Sequence, residues 1–389
     1  MPNRFNADRI YFPSLNGLRF IAAFMVIIHH IEEQKSDFSF PNHFNSSTIQ
    51  MFGELGVTLF FVLSGFLITY LLLEEERTTS TIGIQNFYLR RILRIWPLYF
   101  LIIILGLLII PNIHLLDIPG YDKTTVYRHL FAKIALYIFF LPNLVSPLLG
   151  IVPYSAHTWS IGTEEQFYLT WPVILKSIKK YRLPLMFAII AGYLFVARML
   201  YSSRTDFLPS KEAILEFWPT FNIDCMAIGG FFALLLHTRN RWLTFFQNRY
   251  IFYFALVLII LLIGKGVYFP ILIVNHIKFQ YFYKEFYAFW FGIIILNLAS
   301  NPEIPFNLEA RPIKYLGKIS YGLYMYQPLG IALAFHLAVL IPQVFNPILY
   351  ILSIAFTVGM AAASYKYFEG YFLQFKRKFS IVASGERDQ

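Results

Sequence analysis

Apolar stretches of roughly a bilayer's width recur along the chain, broken by short polar connections. On this pattern, spans are expected near residues 15–32, 54–73, 92–111, 183–200, 220–237, 250–268, 285–299, 315–340 and 344–366. A helix needs about 20 residues to cross the hydrocarbon core, and lipid offers no partner to a bare backbone N–H or C=O, so the spans should be helical. The predicted fold class is all-α, a polytopic helical bundle integral to the cell inner or plasma membrane. Residues 130–176 break the regularity. "LFAKIALYIFFLP" is short for a crossing and "SIGTEEQFYLTWPVIL" carries two carboxylates, so one of these two is expected to be re-entrant or to lie over the bundle.

The loop cations suggest the orientation. Arg4 and Arg9, then Arg77 with Arg90, Arg91 and Arg94, then Lys176, Lys179, Lys180 and Arg182, then Arg239 and Arg241, Arg311 and Lys314, and finally Lys376, Arg377 and Lys378 mark one set of connections as basic. The alternate connections, such as "IEEQKSDFSFPNHFNSS", are poor in Lys and Arg. By the positive-inside rule both termini are cytoplasmic and the number of crossings is even, about ten. Residues 1–375 are expected to form one membrane domain and residues 376–389 a basic cytoplasmic tail, with no appended soluble domain. The polar first eighteen residues and the lack of a small-residue cleavage site argue against a removable signal peptide.

Composition narrows the function. With 57% hydrophobic and 14% charged residues the chain is too apolar for a soluble domain. The net charge of +10 is dispersed over short loops, so nucleic acid is not an expected partner, whereas membrane lipid is. Trp96, Trp171 and Trp242 near the ends of apolar runs fit an interfacial aromatic belt. Cys225 is the only cysteine, which excludes an internal disulfide and a thiolate metal cluster; no metal and no permanently bound cofactor are expected. No internal repeat of the kind found in many transporters is visible.

Four constellations carry candidate chemistry. In "RFIAAFMVIIHH", Arg19 and His30 are eleven residues apart, and eleven steps of about 100° return to within roughly 20° of the start, so the two share one stripe with a rise of about 16 Å. Ala23 and Val26 lie on the same stripe, where small side chains would leave room for a ligand; His29 points away. Arg19 is read either as an interfacial anchor or as a functional cation, and His30 either as an interhelical hydrogen-bonding group or as a functional base. In "GELGVTLFFVLSGFLITYLLLEEERTT", Gly53, Gly56 and Gly65 allow helices to approach closely and Ser64 supplies a hydroxyl. In "LRRILRIWPLYF", Arg90, Arg91 and Arg94 stand at a helix mouth, with Arg90 and Arg94 on one face; they either anchor the helix or hold a phosphate with forked guanidinium groups. In "HTWSIGTEEQFYLTWP", Ser160 is read as a helix N-cap with Glu164 and Glu165 near the first turns, or as part of a proton or hydroxyl relay.

Together, in this order, these elements resemble the membrane-bound acyltransferase-3 family. The resemblance rests on the Arg–ten residues–His pattern from Arg19 to His30, "GVTLFFVLSGFLI", "RRILRIWP", "WSIGTEEQFYLTWP" and "LGKISYGLYMYQP", and it covers nearly the whole chain. It implies a bundle of about ten helices that takes an acyl group, acetyl first among candidates, from cytosolic acyl-CoA to a hydroxyl, usually on a carbohydrate beyond the membrane. The family's arginine and histidine carry over to Arg19 and His30, its cytosolic arginines to Arg90, Arg91 and Arg94, and its Trp-Ser and Glu-Glu motif to Trp159, Ser160, Glu164 and Glu165. Tyr324 and Gln327 join Trp159 and Ser160 as expected substrate contacts. Gln327 is a departure, since many relatives carry histidine there, and glutamine orients a hydroxyl but does not titrate. Many members also carry an esterase-like domain, and none is expected within these residues.

On this reading Arg90, Arg91 and Arg94 bind the CoA phosphates, the pantetheine arm follows the stripe from Arg19, and His30 acts as general base or as transient acyl acceptor. Glu164 or Glu165 is expected to orient the acceptor hydroxyl or the imidazole. A transporter of a small acid or lipid-linked sugar is the alternative function, with acylation of a small hydroxylated natural product a third.

Overall fold

The computed structural model describes residues 9–201, 210–268, 272–274, 277–279, 282–379 and 383–384. Arg4, and most of the tail beyond residue 379, lie outside the described residues. Helices dominate. In chain order they are α1 (Leu15–Asp37), α2 (Ser47–Thr79), α3 (Ile84–Ile104), the short α4 (Lys123–Tyr127), α5 (Leu130–Ile138) and α6 (Val145–Leu149), then α7 (Trp159–Ser177), α8 (Arg182–Leu200), α9 (Lys211–Phe217), α10 (Ile223–Thr238), α11 (Leu243–Phe246), α12 (Arg249–Gly264), α13 (Tyr283–Ser300), α14 (Arg311–Lys318), α15 (Ser320–Ala338), α16 (Phe345–Ser364) and α17 (Gly370–Lys376). Two small ladders complete the secondary structure: β1 (Arg9–Ile10) runs parallel to β4 (Ala383–Ser384), and β2 (Leu272–Val274) antiparallel to β3 (Ile277–Phe279). The first of these lays the two ends of the chain side by side.

Among the described residues six helices are long and apolar enough to cross a membrane: Leu15–Asp37, Ser47–Thr79, Ile84–Asn112, Arg182–Leu200, Lys211–Thr238 and Pro342–Lys376. This is a multi-pass integral membrane protein. Between residues 130 and 176 the two stretches differ in length. α5 has 9 residues, about 14 Å of helix, and is too short to span, with Phe131 and Phe139 exposed on its flanks. α7, with 19 residues, is about twice as long.

α2 is the axis of the bundle. At 33 residues it is about 50 Å long and packs against α1, α10, α12 and α13. Small residues set how close these helices come. A Cβ added at Gly65 would sit 1.9 Å from the carbonyl oxygen of Met226, and one at Gly229 would sit 2.1 Å from that of Val62, so α2 and α10 cross backbone to backbone. Gly56 meets α1 in the same way, at Ala22 and Val26. Gly65→Ala is therefore expected to pry α2 from α10 and to destabilise the protein by at least about 2 kcal/mol, read as a lower melting temperature in detergent; an unchanged melting curve would show the crossing to be looser than described.

The end of α2 gathers the basic connections. Each glutamate of "EEE" holds a different neighbour: Glu74 pairs with Arg77 and with His237 of α10, Glu75 with Arg90 of α3, and Glu76 with Lys179 and with Arg182 at the start of α8. Three loops that the sequence marks as basic thus meet at one end of the bundle.

Candidate active site

α1 delivers both polar groups of the Arg–His pattern. Near its start, Arg19 donates from Nη1 to Asn16 Oδ1 at 3.0 Å. Its charge acts on those of Arg91 and Arg94 of α3 and of Glu164 and Tyr168 of α7. Arg19, Arg91 and Glu164 are each half-buried. Glu164 is anchored from two directions, by Ser64 Oγ at 2.7 Å and by Tyr168 OH at 2.9 Å. The Arg91 guanidinium lies 5.4 Å from the ring centres of both Phe87 and Tyr168, and its Nε has no hydrogen-bond partner. Lys376 of α17 adds a further cation, on which the charges of Arg94, Arg91, Arg90 and Arg19 all act. In a low-dielectric interior such like charges repel strongly, and the carboxylates of Glu164 and Glu369 offset them only in part. The arrangement suits an anion.

Arg90 borders this cluster, and its charge acts on Arg91 and Lys376, but its guanidinium is bonded elsewhere. Its Nη2 meets Glu75 Oε2 at 2.8 Å and its Nη1 donates to the Phe379 carbonyl at 2.7 Å, tying α3 to α2 and to the C-terminal segment. Arg90 and Arg94 share one face of α3 as expected, but the Glu75 carboxylate occupies Arg90, and Arg91 and Arg94 are the two whose charges act on Arg19.

Three turns along α1, His30 presents a different chemistry. Its Nδ1 lies 3.0 Å from the Val26 carbonyl. A carbonyl oxygen only accepts, so Nδ1 carries the proton and the neutral ring keeps its lone pair on Nε2. The Nε2 atom faces Glu33 Oε2 at 3.7 Å, and the side chain retains 24% exposure. Gln327 of α15 lies against the ring without reaching hydrogen-bond geometry, and both polar atoms of its fully buried amide are unpartnered. An unpaired buried amide costs about 1–3 kcal/mol, and the polar group beside this one is the His30 ring. His157 comes close to His30 as well and lies against the Met325 backbone, with neither ring nitrogen in full hydrogen-bond geometry.

The link between the two groups differs from the one expected. Ala23 and Val26 are fully buried, and Val26 packs on Gly56, so the stripe between Arg19 and His30 is filled rather than open. The polar connection runs instead along α7 and its approach. Glu164 faces the arginines; the Tyr324 hydroxyl, close enough to feel the Glu164 charge, lies 2.8 Å from Ser160 Oγ and donates to the His157 carbonyl at 2.8 Å; and His157 adjoins His30. Ser160 does not cap α7, since its hydroxyl bonds back to His157 and across to Tyr324. Trp159 packs edge-on against Phe61.

The glutamates are not where the imidazole needs them. Glu164 belongs to the arginine cluster, and Glu165 accepts from Trp96 Nε1 at 3.1 Å. The carboxylate beside His30 is Glu33, three residues on, because positions 164 and 165 turn toward α2 and α3 while 157 and 160 turn toward α15. Sequence reasoning missed Glu33, placed His157 only beside Ser160 and Glu164 in their motif, and read Lys376 only as a basic cytoplasmic residue. Glu33 was within reach of the i, i+3 rule; nothing local set the other two beside His30 or Arg19.

A family model described as an acyltransferase domain, acyltransferase type 3, matches residues 12–366. The chain is 31% identical over 218 residues to the peptidoglycan O-acetyltransferase OatA of Listeria monocytogenes, covering 52% of this chain and 31% of that protein. It is 31% identical over 189 residues to a putative O-acetyltransferase of Staphylococcus aureus, covering 46% and 28%. With the putative peptidoglycan O-acetyltransferase YrhL of Bacillus subtilis it shares 30% over 173 residues, covering 42% and 24%. The matched part thus spans less than a third of the length of each of these relatives. No solved structure matches the chain.

Proposed function

This chain belongs to the acyltransferase-3 family, and from that premise we propose that it is a membrane O-acyltransferase that moves an acyl group, acetyl first, from acyl-CoA to a hydroxyl of a cell-envelope carbohydrate of the peptidoglycan type. The observation that carries the reading is His30, with Nδ1 tied to Val26 and Nε2 free, joined through α7 to an anion-attracting cluster around Arg19.

The donor's phosphates lie on Arg91 and Arg94, with Arg19 and Lys376 adding charge, while Arg90 braces the helix that presents them. The thioester reaches toward His30 past Glu164, Ser160 and Tyr324. His30 Nε2 removes the acceptor's hydroxyl proton as the oxygen attacks the thioester carbon. A tetrahedral oxyanion forms, and the unpaired Gln327 amide supplies an N–H to it. Glu33 stabilises the imidazolium. Collapse breaks the C–S bond, and the departing thiolate takes the proton from His30, so the products are the O-acyl ester and free CoA. The ability of glutamine to donate without titrating suits this role at position 327.

The topology that accompanies this mechanism has ten crossings, the six long apolar helices plus α7, α12, α13 and α15, with both termini and the basic connections in the cytoplasm. The parallel pairing of β1 with β4 supports an even number, since it holds the two ends of the chain on one side.

The test is a turnover assay on detergent-solubilised protein with acetyl-CoA and a peptidoglycan fragment as acceptor. Release of free CoA thiol that depends on both substrates, with a base-labile acetyl group gained by the acceptor, is the expected result. A thioester that stays intact in detergent would point instead to a transporter, which needs a closed membrane.

A further inference from the structure

His29, His30 and Glu33 form a compact cluster at the end of α1 that the transfer reaction uses only in part. One ligand atom from each lies within 4.8 Å of the others. The helix explains why. Glu33 is four residues from His29 and three from His30, so its carboxylate stands one turn above the gap between the two rings. Both rings are oriented by the backbone: His29 Nδ1 lies 2.9 Å from the Ile49 carbonyl and His30 Nδ1 lies 3.0 Å from the Val26 carbonyl. Each carbonyl only accepts, so both protons sit on Nδ1 and both lone pairs on Nε2. This is how metal-binding histidines are held, with the second ring nitrogen donating to the protein. His29 has little freedom to turn away, because Gly53 lies directly against its ring.

We infer that His29, His30 and Glu33 form a binding site for a divalent transition metal, Zn2+ above all, and that filling it silences His30. Two imidazoles and a carboxylate suit Zn2+, which would leave a fourth position open. A tetrahedral ion with bonds of ~2.0–2.2 Å needs ligand atoms about 3.3 Å apart. His30 Nε2 and Glu33 Oε2 are already at 3.7 Å, and all three ligand atoms lie within 4.8 Å of one another. The approach favours cations. Asp37 is close enough for its charge to act on Glu33, both act on Tyr121, and Glu54 adds its charge at His29.

The metal would take the same Nε2 lone pair that removes the acceptor's proton. That consequence rests on the role proposed for His30, whereas binding itself does not. Purified protein in nanodiscs, titrated with Co2+ in the absence of any substrate, is expected to bind one ion per chain with visible d–d absorption. Both His29→Gln and Glu33→Gln, checked for an unchanged melting temperature, should lose it. No absorption in the native protein, or absorption that survives in both variants, would overturn the site. Zn2+ should then inhibit transfer reversibly, with chelation restoring the rate. Since even an outer-shell partner of a metal is worth about 10–100-fold in affinity, the inhibition midpoint of His29→Gln, relative to its own zinc-free rate, should rise at least about tenfold. Transfer that chelation abolishes would overturn the inhibitory consequence. The Co2+ signal needs no turnover, so failure of the site is distinguishable from failure of the transferase reading.

Discussion

Alanine at position 30 is expected to lower the rate of acyl transfer by about 10³-fold, with the protein still reaching the membrane and melting normally. His30 is placed for proton removal by three features together. Its tautomer is set by the Val26 carbonyl, its side chain keeps 24% exposure, and Glu33 stands 3.7 Å from Nε2, where the proposed imidazolium would form. Loss of a general base typically forfeits about 10²–10⁴ in rate, since the remaining groups still bind and orient the substrates. The loss should fall on kcat rather than on the KM for the donor, because the arginine cluster lies elsewhere. His157 cannot take over, because its ring is buried with no carboxylate to balance a charge. The measurement is free CoA released per mole of folded protein under saturating substrates. Turnover equal to that of the native protein would remove His30 from the mechanism.

Glutamine at Arg91 is expected to act on the other half of the reaction, raising the KM for acyl-CoA by about 10–100-fold with a smaller effect on kcat. A hydrogen bond to a charged group contributes about 1.5–3 kcal/mol, and each 1.4 kcal/mol is a factor of ten in affinity. The Nε of Arg91 is buried and unpartnered, and the guanidinium is held between Phe87 and Tyr168. The side chain therefore waits in position for an anion. Arg90 provides the contrast. Arg90→Gln would strand the buried carboxylate of Glu75, and stability should suffer rather than donor affinity, since breaking a buried ion pair costs about 3–5 kcal/mol. Steady-state kinetics with varied acetyl-CoA, beside melting curves for both variants, separate the two roles. If Arg90→Gln carried the KM effect and Arg91→Gln did not, the phosphate site would have to move one residue along α3.

The helical bundle was legible because lipid removes every alternative: a chain that cannot bond its backbone to water must bond it to itself, and long apolar runs such as 54–73 and 183–200 announce where. Close helix contacts were legible for a similar reason. Gly56 and Gly65 in an apolar run have few uses other than approach, and the structure sets them against the backbones of α1 and α10. Residues 130–176 were ambiguous because hydropathy does not measure helix length, and the break between α5 and α7 depends on how the loops around them pack.

Arg19 and His30 could be found from the chain alone, because a fixed cation and an imidazole stand out in an apolar run and helical periodicity puts them on one stripe. What lies between them could not. Periodicity gives the direction of a side chain from its own axis but not the neighbour it meets, so the stripe that looked open at Ala23 and Val26 is closed by α2 and its neighbours. The same limit separated Arg90 from Arg91. Three arginines in one turn are equivalent in sequence, and only the Glu75 carboxylate at the end of another helix makes one structural and leaves another with a free N–H.

By itself, then, the sequence determined that this protein spans a membrane as a helical bundle, and which ionisable groups were out of place there, since both follow from transfer of single residues into lipid. The tertiary structure alone decided which carboxylate stands beside His30, which arginines face Arg19, and that α7 connects the two groups. Those are distances between residues far apart in the chain, set when helices pack against one another, and no local pattern encodes them.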